Sequence, residues 1–208
     1  MPLLHALTAL AASFALAAPA LAAPLLSDDF SDARSGWPNM AATRKGDLGL
    51  AVYTDSGKYQ LTPVEDNVFG FIRAPKQAEG ADVKIESDLF LYAGLGAGGA
   101  GVGCRHKDHR NFYAFLVRGD AVLVIAKVKD GKVTPLAQGR IGSVMPGTAD
   151  TRLGVECKGD QLTFSARGGK TISARDGDLR EGASGVFVIG EKLAGTSVQF
   201  DNFVLSAR

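Results

Sequence analysis

The chain offers few side chains at spacings that do chemistry. Glu86 and Asp88, in Lys84-Ile85-Glu86-Ser87-Asp88, share one face of an extended segment. A glycoside hydrolase needs two carboxyl groups about 5–9.5 Å apart across a cleft. These two lie on the polar side of an alternating run, and a solvated strand face explains them without catalysis. Glu65-Asp66 are adjacent, so they would point to opposite faces of a strand or lie in a loop after Pro63. His106 and His109, in His106-Lys107-Asp108-His109, read as part of a polar hairpin loop between Arg105 and Asn111. Two imidazoles on a loop hold a transition metal weakly unless further ligands join them. Gly94, Gly96 and Gly99 spell G-x-G-x-x-G, but a dinucleotide site needs that motif to open a helix inside a βαβ unit. Here Cys104-Arg105 and another strand-like run follow, so the segment reads as a flexible loop or a bulged strand pair. No G-x-S-x-G is present, and Ser184 sits in Gly182-Ala183-Ser184-Gly185, a turn into a strand. These residues lean against an enzyme.

Aromatic residues are the better lead, because sugar recognition uses an exposed ring as a platform beside polar side chains. In Asn111–Val117 either Tyr113 and Phe115 or Phe112 and Ala114 face the core. The outward ring of that strand, with Arg105 and Tyr92, is the expected binding surface: Tyr92, Arg105 and Tyr113 are its candidate residues. Trp37, the one tryptophan, is expected to pack in the core or at its rim.

The elements that must position these residues are strands. Val83, Ile85, Leu89 and Leu91 alternate with Lys84, Glu86 and Asp88, the period of a strand with one wet face. Ala121–Ala126 is a continuous apolar run, and Arg152–Cys157 alternates again. Asp55-Ser56-Gly57, Lys129-Asp130-Gly131-Lys132 and Lys158-Gly159-Asp160 punctuate these runs with residues that accept the positive φ of hairpin turns. Short strands at roughly 8–12-residue spacing predict an all-β, two-sheet antiparallel sandwich and exclude a helix-rich fold.

Composition narrows the role. Among 208 residues, 23 Lys and Arg balance 22 Asp and Glu, which leaves no basic footprint for nucleic acid. Residues 1–27 carry none of that charge. Leu3–Leu21 is an Ala/Leu-rich run that ends in Ala20-Leu21-Ala22-Ala23, the form of a secretory signal cleaved after Ala22 or Ala23. The expected organisation is a signal peptide over 1–23 and one domain over 24–208, periplasmic or secreted, with no stable membrane span after cleavage; an uncleaved anchor is the alternative. Cys104 and Cys157 each sit in a strand-like run, and in an oxidising compartment they are expected to form one disulfide between neighbouring strands, the alternative being two buried thiols.

The order of Asp28-Asp29-Phe30-Ser31-Asp32, Gly36-Trp37, Gly57-Lys58-Tyr59, Gly103-Cys104-Arg105, Asn111-Phe112-Tyr113-Ala114-Phe115 and Phe200-Asp201-Asn202-Phe203 resembles a laminin-G-like jelly roll of the concanavalin A-like lectin/glucanase superfamily. It is similar in style to bacterial modules related to the 3-keto-disaccharide hydrolase domain. The resemblance implies a concanavalin A-like jelly-roll sandwich whose first and last strands pair. It further implies carbohydrate or another cell-envelope component as partner, the alternatives being a saccharide hydrolase and a protein-binding adhesion or scaffold domain. Related sandwiches hold a structural Ca2+, for which Asp29 and Asp201, beside Asp28, are the candidate ligands; otherwise these acids cap turns and strand ends.

Overall fold

The computed structural model describes residues 23–41, 49–63, 69–93, 98–142, 145, 147–167, 169, 171–190 and 195–208. The proposed signal, apart from Ala23, and Glu65-Asp66 lie outside them. The described elements are strands: β1 (Leu26–Asp28), β2 (Met40–Ala41), β3 (Leu50–Tyr53), β4 (Tyr59–Thr62), β5 (Phe69–Arg73), β6 (Val83–Tyr92), β7 (Gly99–Asp108), β8 (Asn111–Arg118), β9 (Val122–Lys129), β10 (Lys132–Arg140), β11 (Thr148–Lys158), β12 (Gln161–Ala166), β13 (Ile172–Arg175), β14 (Ala183–Ile189) and β15 (Ser197–Ala207). A nine-stranded sheet runs β13-β12-β11-β6-β15-β4-β3-β2 with β1 also on β15, and a six-stranded sheet runs β10-β9-β8-β7-β14-β5. All pairings are antiparallel, and the fold is the all-β two-sheet sandwich that the sequence predicts. No helix among the described residues is long and apolar enough to cross a membrane.

Alternation in β6 does what its period requires. Val83, Ile85, Leu89 and Leu91 are buried in the core, and Lys84, Glu86, Asp88, Phe90 and Tyr92 face out. The inward position between Ile85 and Leu89 is Ser87, fully buried, whose hydroxyl donates to the carbonyls of Asp88 and Asp201 at 3.0 and 3.1 Å. A buried hydroxyl is tolerated only with such partners. Its target lies where β15 bulges between Asp201 and Val204 and Asn202 takes a φ of 48°. There the neighbour of β15 changes from β4, paired through Phe200, to β1, paired from Phe203. The first and last strands therefore pair, as the resemblance implies.

The six-stranded sheet is apolar on both faces. Tyr113, Phe115 and Val117 enter the main core, while Phe112, Ala114 and Leu116 join Val124, Ala126, Val128 and Phe187 in a second cluster on the outer face. Both halves of the alternation in β8 are thus buried. Gly99, Gly101 and Gly103 alternate with Ala100, Val102 and Cys104 in β7, so this part of the glycine-rich stretch is an interior strand; Gly94–Ala97 lie outside the described residues. A Cβ on Gly103 would stand 2.6 Å from the Phe71 ring, so glycine lets that ring lie across the strand.

Cys104 of β7 and Cys157 of β11 are joined in a disulfide, with Cα atoms 6.9 Å apart. They belong to different sheets, so the bridge spans the core rather than linking neighbouring strands. Trp37 is 3% exposed, packed edge-on against Phe30 and Phe203, and donates its indole N–H to Asp28 at 2.9 Å.

Candidate functional site

The outward residues of β6 lie at the centre of the nine-stranded sheet, flanked by β11 and β15. Tyr92 stands between Thr148 and Ser197, Phe90 between Asp150 and Gln199, Asp88 between Arg152 and Asp201, and Glu86 between Gly154 and Val204. Tyr92 is 56% exposed. Lys58 holds its ammonium 4.2 Å from the centre of the Phe90 ring and 2.9 Å from the Asp201 carboxylate. Asp88 accepts from Arg152 at 3.1 Å and from Asn202 at 2.8 Å. The Gln199 amide donates to Gln60 at 3.0 Å, extending the polar row towards β4. Gly154 keeps one place on this face low: Glu86, Arg152, Ser165 and Arg167 surround it in a shallow cavity of ≈ 330 Å³. The face therefore combines two rings with acceptors and donors of both charges, held in place by cross-strand pairing.

Of the three expected binding residues, only Tyr92 is on this surface. Arg105 is 1% exposed and Tyr113 is fully buried, both on the six-stranded sheet, so they form no surface with Tyr92. Arg105 takes a φ of 53° where the pairing of β7 shifts register, and the bulge turns inward a side chain that strict alternation would point out. Its guanidinium donates to Asp82 at 3.1 Å, to the Leu179 carbonyl at 3.0 Å and to the Ala81 carbonyl at 3.4 Å. Tyr113 pairs with Cys104 across the strands and points inward with it. Its hydroxyl donates to Asp176 and accepts from the Leu179 amide at 3.1 Å. Burial first, then the bond to Asp176, pushes the phenol up to about 12. Asp176 also receives Lys127, and although burial works against its charge, Lys127, Tyr113 and the Asp178 amide outweigh it and hold the carboxyl below its usual range.

The bulge also moves His106 out of the expected hairpin loop and into the second apolar cluster. Its ring stacks on Phe71 with centroids 3.9 Å apart, and Nδ1 accepts from Arg73 at 3.2 Å. Burial, then the Arg73 charge, lowers the imidazole to about 4. His109 stays in the exposed turn after β7.

Asp29 and Asp201 do not fit a calcium shell. Asp29 accepts from the amide and hydroxyl of Ser31, and Asp201 pairs with Lys58. Asp28 is spent on the Phe30 amide and the Trp37 indole. Among the described residues no group of three or more His, Cys, Asp or Glu gathers in a way that could hold a metal ion.

Sequence reasoning missed Phe90, Asn202, Gln60 and Gln199. Phe90 carried a signal: it is a ring on the polar side of an alternating run, two residues before Tyr92. Asn202 carried none, because only the bulge brings it to Asp88.

No protein-family model matches the chain, and no curated protein matches it. Solved structures do. The carbohydrate-binding module CBM66 from Bacillus subtilis is 21% identical with a TM-score of 0.61 over 83% of this chain and 96% of that one. A Bacillus subtilis protein of unknown function with a galectin-like fold is 13% identical, TM-score 0.56, over 82% and 98%. The exoplasmic/lumenal domain of VIP36, in its Ca2+/Man3GlcNAc-bound form, is 17% identical, TM-score 0.55, over 76% and 81%. At these identities the likeness is one of fold: the chain shares the two-sheet β-sandwich of these structures.

Proposed function

We propose that the chain is an exported, non-catalytic β-sandwich module that binds a glycan on the outer face of its nine-stranded sheet. The observation that carries this reading is the exposed Tyr92 ring, aligned with Phe90 in a field of amide, carboxylate and guanidinium groups. Rings accept the apolar face of a sugar, and fixed polar neighbours select its hydroxyls. The sandwich likeness to a carbohydrate-binding module supports the reading by analogy of fold. Export is supported by the charge-free apolar run with its Ala-rich ending and by the disulfide, which suits an oxidising compartment.

A saccharide hydrolase is the competing reading, since Glu86 and Asp88 share this face. Each is engaged by a cation, Lys84 at 2.7 Å and Arg152 at 3.1 Å, so neither stands free to address a substrate. A glycan array decides: wild type should bind a defined set, and Tyr92→Ala should bind it about tenfold more weakly, the loss of roughly 1.5 kcal/mol. Incubation with ordinary and 3-keto disaccharides should give no product. Turnover that disappears in Glu86→Gln or Asp88→Asn overturns the non-catalytic reading.

A further inference from the structure

The loop after β5 and the loop before β14 face each other across a cavity of ≈ 410 Å³, lined by Gln77, Glu79, Arg180 and Glu181 with Gly80 and Gly182. This lies within the range of about 300–1,000 Å³ typical of small-molecule sites. The walls are set in place from below. Gln77 spends its whole amide on backbone, donating to the Ala74 and Ser184 carbonyls and accepting from the Ser184 amide at 2.7 Å. Arg105 ties Ala81 and Asp82 on one wall to Leu179 on the other, and Tyr113 fixes Leu179 and Asp176. A site whose loops are already ordered loses less freedom when it binds.

The charges inside it are not all committed. Glu181 pairs with Lys107 at 2.8 Å, whereas Glu79 and Arg180 have neither an ion pair nor a hydrogen bond among the described residues. A carboxylate only accepts hydrogen bonds and a guanidinium only donates them, while a hydroxyl does both. An anion would suit Arg180 but meet Glu79 and Glu181, and a cation would meet Arg180. Neutral vicinal hydroxyls satisfy both groups, and the lining has no ring on which a longer apolar ligand would stack.

We propose that this cleft is a second binding site, taking a neutral polyhydroxylated unit such as the terminal residue of a glycan, with Glu79 accepting hydroxyl protons and Arg180 donating to hydroxyl oxygens. The proposal rests on the glycan reading above. Calorimetric titration with the methyl glycosides of glucose, galactose, mannose, xylose and arabinose, and with sucrose, tests it in wild type, Glu79→Gln, Arg180→Gln and Tyr92→Ala. Both cleft side chains are exposed, so their variants should fold. With the sheet face impaired by Tyr92→Ala, binding that remains and is weakened about tenfold when either cleft substitution is added is the expected result. Binding that survives both cleft variants and is lost in Tyr92→Ala overturns the cleft and leaves the glycan reading standing. No binding of any of these probes also overturns the cleft, and a blank glycan array alongside it overturns the glycan reading as well.

Discussion

Arg105 and Tyr113 grip the same residue from both sides: the guanidinium donates to the Leu179 carbonyl at 3.0 Å, and the phenol oxygen accepts from the Leu179 amide at 3.1 Å. Leu179 is itself buried. Two side chains of the six-stranded sheet therefore hold a loop peptide by its donor and its acceptor.

Removing either anchor should destabilise the fold in proportion to what it leaves unpaired. Arg105→Met strands the Leu179 carbonyl and is expected to cost roughly 2–4 kcal/mol; Asp82 keeps the Gly159 amide as a partner at 3.0 Å. Tyr113→Phe keeps the ring and is expected to cost about 1–2 kcal/mol. Urea unfolding measures both. A Tyr113→Phe midpoint equal to that of wild type would mean that the bonds to Asp176 and Leu179 contribute nothing net.

Reduction should be costly too. The disulfide closes a sequence separation of 53 residues, for which loop entropy gives about 4 kcal/mol. The paired Cys104→Ala and Cys157→Ala variant should unfold at clearly lower urea than the oxidised protein. Identical midpoints would show that the native state returns the entropic gain as strain.

Calcium should not matter to stability. With Asp201 on Lys58 and Asp29 on Ser31, chelation is expected to leave the melting temperature where it was. A fall of several degrees on chelator, reversed by calcium, would point to an ion among residues outside those described.

Acid should loosen the fold before the carboxylates titrate. His106 sits at about 4 in the folded chain against 6.5 for a free imidazole, because burial and then Arg73 oppose its charge, with Asp108 acting weakly the other way. Between those values the unfolded chain binds more protons, so the stability is full above about 6.5 and declines as the pH falls towards 4. Asp176 and Asp178, held below the usual 3.8 by their partners, add a further loss only below that pH. Melting temperature against pH should slope through the upper window in wild type and flatten there in His106→Gln. Equal slopes would remove His106 from the account.

How far the sequence could be read depended on where alternation held. In β6 the period placed Tyr92 outward and Ile85 inward, as found. It failed at Arg105, where a positive φ inside a strand reverses the faces: Arg105 drops inward and His106 lands on Phe71. No local pattern announces such a bulge, and the Leu179 carbonyl that the Arg105 guanidinium reaches lies far along the chain. Phe112 and Tyr113 posed a choice of one ring or the other. Both are buried because the outer face of the six-stranded sheet carries an apolar cluster of its own. The two cysteines were expected on neighbouring strands, and period 2 cannot tell a neighbour in the same sheet from a partner across the core.

That cross-core placement gives the sandwich a mechanical asymmetry. A bridge between neighbouring strands would only reinforce a ladder already held by hydrogen bonds, whereas Cys104–Cys157 pins one layer to the other beside Arg105 and the cleft. If the layers part under thermal motion, they part last at this pin, where β7 of one sheet stays tied to β11 of the other. The cleft beside the pin stays shut longest.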